Sequence, residues 1–476
     1  MSHVRFALIL SAALGCFPPV QADEQAPAVV EGVSYWKTIR PIFQEHCQGC
    51  HQPAKAMGGL VMTDVPQIIK GGESELPGIV PGKPDESTIV EQIVSQGNKP
   101  PAMPKGRSPL SATDVERIKS WIAQGAVDDS PKSQTAIVDA AHPPVYHLAP
   151  VVSAIDYSPD GQLLAVSGYH EVVLHKVDGG ELVGRLIGLS ERIESLAFSP
   201  DGKLLAVTGG SPGWFGEVQV WDVAERSLKL SQSLTHDTIY GVSWSPDGTR
   251  IAFGCADNTL RAIDAGTGAQ VLFQGAHNDW VLDTTFANDA SHLISVSRDR
   301  SMKLTEVATQ RFVDNITSIT PGALKGGLMA VDRRPGKDEV ICGGADGFPK
   351  RYQIYRTKSR VIGDDFNLLK QYEQMPGRIF AVEFNADGSR FVAASSEGHR
   401  GEVRVYDTED GRLVATLEGQ HGAVYCVAFR QDGKEVASGG FDGMVRINDA
   451  ESGKLIREFV PIPLAADTAA TQSAAR

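Results

Sequence analysis

A short motif returning along the later two thirds of the chain limits what this polypeptide can fold into. Tyr157-Ser158-Pro159-Asp160-Gly161 recurs as Phe198 to Gly202, Trp244 to Gly248, Phe384 to Gly388 and Phe429 to Gly433, with degenerate copies at Phe286 to Ala290 and near Arg334-Pro335-Gly336. Seven copies at a mean period of about 45 residues match one four-stranded propeller blade each. The last copy shows the logic. An alternating strand, Ala423 to Phe429, runs into a turn whose Gly433 supplies a positive φ. A small-residue strand (Val436 to Gly440), an Asp turn and the strand Val445-Arg446-Ile447 follow. Four strands cannot close a core alone, whereas seven blades around an axis hide nearly all their edges.

Ahead of the repeats, Cys47-Gln48-Gly49-Cys50-His51 is a Cys-x-x-Cys-His run. Two thiols at this spacing can each add across one haem vinyl group, and the following His is then held as an axial iron ligand. Half of a zinc site or a redox disulfide are the competing readings. No other Cys pair has metal-ligand spacing, and a thioredoxin-like pair would not need His51. One covalent haem c is therefore expected, on Cys47, Cys50 and His51.

The N-terminus agrees with attachment outside the cytoplasm. A basic start (Met1 to Arg5), the apolar run Phe6 to Leu14 and a small-residue cleavage site at Val20-Gln21-Ala22 read as a secretory signal over residues 1–22. Ala13-Leu14-Gly15-Cys16 is an imperfect lipoprotein box that would instead tether the chain through an acylated Cys16. No later stretch is long and apolar enough to span a bilayer. A periplasmic or otherwise exported protein, bacterial by this logic, is the expectation.

Between residues 33 and 127 the pattern is helical. Trp36, Ile39, Ile42 and Phe43 form an apolar face leading into Cys47. Ser111 can cap a helix presenting Val115, Ile118, Trp121 and Ile122, with Gly125 as its stop. Glu86 to Val94 reads as a further short helix. Thioether sulfur suits the sixth position of haem iron, and Met103 in Lys99-Pro100-Pro101-Ala102-Met103-Pro104-Lys105 sits in a loop stiffened by proline. Met57 and Met62 lie too near His51 in sequence to reach the opposite haem face; His46, His142 and His147 are the other candidates.

The ordered set Trp36…Ile39-Arg40-Pro41-Ile42-Phe43, the Cys47 to His51 motif, Gly58-Gly59-Leu60, Gly71-Gly72, Pro81-Gly82-Lys83-Pro84, Met103-Pro104, Leu110-Ser111 and Trp121-Ile122-x-x-Gly125-Ala126 resembles the Planctomycete-type cytochrome c domain. That resemblance implies haem c with His51 and Met103 as ligands. The repeats resemble the WD-repeat family, whose signature dipeptide stands at Trp221-Asp222. The family's intrablade hydrogen-bond set is matched by His421, Ser438 and Asp442 in the last copy, and by His277, Ser295 and Asp299 in the fourth. The fold class expected is a small all-α cytochrome c domain (33–127), a linker (128–144), an all-β seven-bladed WD-repeat propeller (145–460) and a disordered tail (461–476).

Cys255, Cys342 and Cys426 fall on inner strands of three copies and read as buried small hydrophobes. His170 and His175, five apart, should face opposite sides of one strand. The net charge is −13, while residues 35–127 carry ten Lys or Arg against nine Asp or Glu, so the acidity lies mostly in the repeats. Nucleic acid is excluded as a partner on this ground. Lys99, Lys105 and Arg107 flank Met103 and can steer an acidic redox partner or the chain's own propeller. The function expected is an exported electron carrier with its propeller as a protein-interaction platform. A propeller–haem oxidoreductase or a haem-based sensor is the alternative, although no catalytic constellation stands out.

Overall fold

A computed structural model describes residues 32–52, 55–97, 99–130, 138–275, 277–318, 325–361 and 363–465. The signal segment, including Cys16, lies outside them. The first domain is built on four helices: α1 (Arg40–His46), α2 (Val65–Lys70), α3 (Thr88–Ile93) and α4 (Ala112–Ala123). A two-residue antiparallel pair, His51–Gln52 with Lys55–Ala56, follows the Cys-x-x-Cys-His run. Ser111 caps α4 by accepting from the Asp114 N–H at 3.1 Å, and Gly125 ends it at φ 99°.

One face is shifted from the expected one. Tyr35–Ile39 is a wide, π-type turn continuous with α1, which adds a residue and rotates the apolar stripe. Tyr35, not Trp36, is therefore buried, stacked on Trp121 at 5.2 Å, with Phe43 edge-on to the same indole at 6.1 Å. Ile39, Ile68, Ile79 and Ile118 complete a core without exposure. α2 is absent from the sequence reading. Its Asp64 cap accepts from the Gln67 N–H at 3.0 Å, but six residues show too little periodicity to announce a helix.

The second domain consists of antiparallel sheets taken in chain order. Five have four strands, beginning at Ile239–Trp244, Val281–Phe286, Leu328–Arg333, Arg378–Phe384 and Val424–Phe429. A seven-stranded sheet precedes them, because the long strand Leu182–Phe198 pairs backward with Tyr169–Lys176 and forward with Leu204–Ser211. Four-stranded antiparallel sheets following one another in chain order are the arrangement of propeller blades.

The turn after each first strand has one construction. Asp160, Asp201, Asp247, Asp289, Asp387 and Asp432 each accept the backbone N–H two residues on, at 2.8–3.1 Å. The next residue is left-handed in all six, which Gly161, Gly202, Gly248, Gly388 and Gly433 tolerate freely, and which Ala290 adopts at φ 58°. In the copy lacking the Asp, the left-handed residue is Gly336.

Acidic side chains on the strands leading into these turns bond to the corresponding strand of the next repeat, which for Asp156 lies in the same seven-stranded sheet. Asp156, Asp332 and Glu383 accept the N–H of Phe198, Phe384 and Phe429 at 2.8, 2.7 and 3.3 Å, and Asp283 that of Val331 at 2.9 Å. Burial pushes Asp156 and Asp283 up to about 7 and Asp332 to about 6, and raises Glu383 well above the ordinary carboxyl range.

The last sheet meets the first. Val152 N–H donates to Gly440, Ala465 N–H to Tyr146, and Ile462 is buried in a cluster with Ile155, Val173, Ala437 and Ile447. The segment expected to be a disordered tail is therefore ordered at 461–465, because its backbone bridges to Tyr146; residues 466–476 lie outside the described set. Cys255 and Cys342 lie on second strands and Cys426 on a first strand, all buried and free.

The set His277, Ser295 and Asp299 forms: the imidazole bonds Asp299 at 3.0 Å and Ser295 at 2.8 Å. The set in the last sheet does not. His421 is exposed, Gln420 donates to Ser438 at 3.0 Å, and Arg446 holds Asp442 at 2.7 Å. The amide reaches the buried serine one residue earlier, so the histidine is displaced outward. His170 also departs from expectation. It sits at a bulge between Tyr169 and Glu171 with φ 64°, which breaks the strand alternation that relates it to His175.

Candidate haem site

The Cys-x-x-Cys-His run closes α1. Cys47 caps the helix, and the N–H groups of Cys50 and His51 both donate to its carbonyl at 3.1 Å, winding the motif into a tight turn. Two bonds tie the turn to the following loop: Met62 N–H to the His51 carbonyl at 2.8 Å, and the Gln48 amide to the Met62 carbonyl at 2.8 Å. Gln52 reaches back to the Gln48 carbonyl at 3.0 Å. Buried Gln48 and Gln52 thus act as braces, a role that two unremarkable glutamines, one inside the motif and one just after His51, do not signal in the sequence.

Cys47 packs on the domain core and Cys50 is exposed; neither is in a disulfide. Burial pushes the Cys47 thiol up to about 12, with Cys50 adding to the shift and Arg107 opposing it. Burial likewise holds the His51 imidazole below its ordinary value, against the pull of the Met57 and Leu60 carbonyls. It is therefore the neutral imidazole, the form that ligates metals, and its buried Nδ1 has no hydrogen-bond partner.

Met103 is half-buried against the same apolar cluster as Cys47, its N–H donating to the Gln92 carbonyl at 3.0 Å. Met57 is 49% exposed, and Met62 is buried within the core. Of the histidine candidates, His142 is exposed and bonds Asp139 at 3.0 Å, and His147 is exposed. Lys99, Lys105 and Arg107 are exposed around Met103.

The donor set fits a covalently attached haem: two unlinked thiols on one turn, a half-buried imidazole with an unpartnered Nδ1, and a thioether on the shared apolar cluster. Among the described residues there is no group of three or more His, Cys, Asp or Glu that could hold a metal ion.

Two family models match the chain. Planctomycete cytochrome C covers residues 47–106, and the WD domain, G-beta repeat covers residues 180–222, 228–264 and 411–449. The chain joins a Planctomycete-type cytochrome c domain to WD repeats. It is similar to "Periodic tryptophan protein 2" of Arabidopsis thaliana, at 26% identity over 51% of this chain and 25% of that protein. It is similar also to "Serine-threonine kinase receptor-associated protein" of Mus musculus, at 23% identity over 45% of this chain and 68% of that protein. The "Intraflagellar transport protein 122 homolog" of Danio rerio is 45% identical over 14% of this chain and 6% of its own length. The chain thus spans a quarter or less of two of these three relatives.

The cytochrome c domain rests directly on the repeats. An added Cβ at Gly49 would lie 2.1 Å from the Ser231 carbonyl, so only glycine fits between the two cysteines in this packing. Beside it Trp36 meets Trp214 edge-on at 4.8 Å, and the Arg40 guanidinium lies over both indoles at 4.2 and 4.8 Å. Trp36 N–H donates to Asp129 at 2.8 Å, fixing the start of the segment read as a linker. This interface is missing from the sequence reading, and glycine inside the motif is its one visible trace.

Proposed function

We propose that the protein is an exported c-type cytochrome that carries single electrons, with its propeller acting as a docking platform for a protein partner. In this reading Cys47 and Cys50 hold haem c through thioether bonds, and His51 and Met103 ligate its iron. The group supplies one-electron redox chemistry; the chain supplies an apolar seat, a neutral imidazole and a braced attachment turn. The observation that carries the proposal is the buried, unpartnered Nδ1 of half-buried His51 on the same turn as two free thiols, within the span matched by the cytochrome model.

Seven blades are the count this reading adopts. The seven-stranded sheet serves as two blades sharing the strand Leu182–Phe198, and seven left-handed turns follow the seven first strands. Export rests on the signal segment and on the extracytoplasmic chemistry of haem attachment.

Replacing Met103 tests the electron-carrier role. Met103→Ala is expected to lower the reduction potential and remove the sulfur-to-iron charge-transfer band of the ferric protein, while Met57→Ala changes neither. An unaltered spectrum and potential in Met103→Ala overturns the ligand assignment.

A further inference from the structure

A cavity of about 630 Å³ lies where the cytochrome domain, the segment 138–141 and the first propeller sheet converge. Its size lies within the range of roughly 300–1,000 Å³ typical of small-molecule sites, which favour domain junctions. Gln48 of the haem-attachment turn forms part of its wall, and so do Arg40, Asp64, His170, Glu191 and Trp214.

Arg40 is the decisive wall residue. Its faces are held by the Trp36 and Trp214 rings, yet its N–H edge enters no hydrogen bond or ion pair among the described residues. A guanidinium stacked in this way is oriented for fork-like recognition of a carboxylate, with its rotamer entropy already reduced. Burial lowers its pKa, with Glu191 opposing from beyond salt-bridge distance, as expected for a cation short of a close counter-ion.

His170 gives an independent sign. It is a non-glycine residue held at φ 64° on a bulge in the cavity wall, and backbone strain of this kind collects at ligand sites; its Nδ1 is buried behind the ring and closed to the cavity. Among amides and hydroxyls, the wall carries three carboxyls, Asp64, Asp139 and Glu191, the first raised by burial. A bare anion would be repelled by them, whereas hydroxyl groups would donate to them.

We propose that this interdomain cavity binds a small hydroxylated carboxylate, with the carboxylate on Arg40 and hydroxyls on Glu191 and Asp64. The site is separate from electron carrying and does not depend on it. Because Gln48 braces the haem turn, occupancy would stiffen the junction between the domains.

Calorimetric titration of the full-length, haem-loaded protein tests this with D-gluconate, D-glucitol, which has the hydroxyls without the carboxylate, and acetate, which has the carboxylate without the hydroxyls. Gluconate is expected to bind roughly tenfold or more tightly than either partial probe. Arg40→Lys keeps the charge but loses the fork and should weaken gluconate by a similar factor. Glu191→Gln should weaken gluconate and leave acetate unchanged, and it decides the matter if Arg40→Lys proves misfolded. Absence of gluconate binding, equal binding of glucitol or acetate, or wild-type affinity in a folded Arg40→Lys protein overturns the proposal.

Discussion

Asp156→Asn should convert a pH-dependent weakness of the propeller into a pH-independent contact. The Asp156 carboxyl is buried within the seven-stranded sheet, accepts the Phe198 N–H at 2.8 Å, and faces Asp332 across the inner strands. Its pKa of about 7 lies above the 3.8 of the unfolded reference. The folded state therefore holds more protons than the unfolded one between those values, and the group's contribution to stability falls as pH rises through that window. Between pH 5 and pH 8 the wild-type chain must ionise this acid inside the fold, which crosses about two pKa units and costs about 2–3 kcal/mol at 1.4 kcal/mol per unit. The amide has the same shape and still accepts the N–H. The stability of the variant relative to the wild type should thus rise by about 2–3 kcal/mol between pH 5 and pH 8, on top of whatever difference already stands at pH 5, where the unfolded carboxyl is ionised and the folded one is not. That corresponds to a relative shift of roughly 3–5 °C in the transition of a propeller of this size. Paired thermal scans measure the difference, in which the opposing titration of buried His175 and His277 cancels. A variant that loses ground as pH rises would show the ionised carboxylate to be stabilising and refute the reasoning.

Asp299→Ala removes the carboxylate that orients buried His277 and should cost roughly 1–3 kcal/mol in denaturant unfolding, with haem content unchanged; His421→Ala, at an exposed ring, should cost under about 0.5 kcal/mol. Ala290→Gly relieves the left-handed turn residue and should gain about 0.5–1 kcal/mol, read by the same unfolding curves. Gly49→Ala forces a Cβ onto the Ser231 carbonyl; limited proteolysis should then separate the two domains faster than in the wild type, while each remains folded. Unchanged cleavage kinetics would show that the interface yields without cost.

What the sequence made legible is local. Each Asp-Gly turn is specified by residues within five positions, so six turns of the same construction could be read directly. The attachment motif is equally local, and so is the Ser111 cap of α4. What stayed hidden depends on partners distant in the chain. The Trp36–Trp214 contact spans the two domains, and the extra residue in the π-type turn that exchanges Tyr35 for Trp36 leaves no mark in apolar spacing. The failed hydrogen-bond set of the last sheet shows the limit of matching residue types. His421, Ser438 and Asp442 stand at suitable spacing, yet Gln420 and Arg446 are one residue nearer or better charged, and they take the bonds. The start of the tail, residues 461–465, is ordered because Ile462 is a lone apolar anchor in a Pro-rich stretch and the backbone bridges to Tyr146 at the far end of the domain.

Covalent attachment of haem to the Cys47–His51 turn is the central claim, and mass spectrometry of the exported protein under denaturing conditions tests it most directly. One haem should remain on the unfolded chain and map to the peptide containing Cys47 and Cys50, and Cys47→Ala/Cys50→Ala should carry none. A wild-type chain that releases its haem on unfolding, or a double variant that keeps it, would contradict the account.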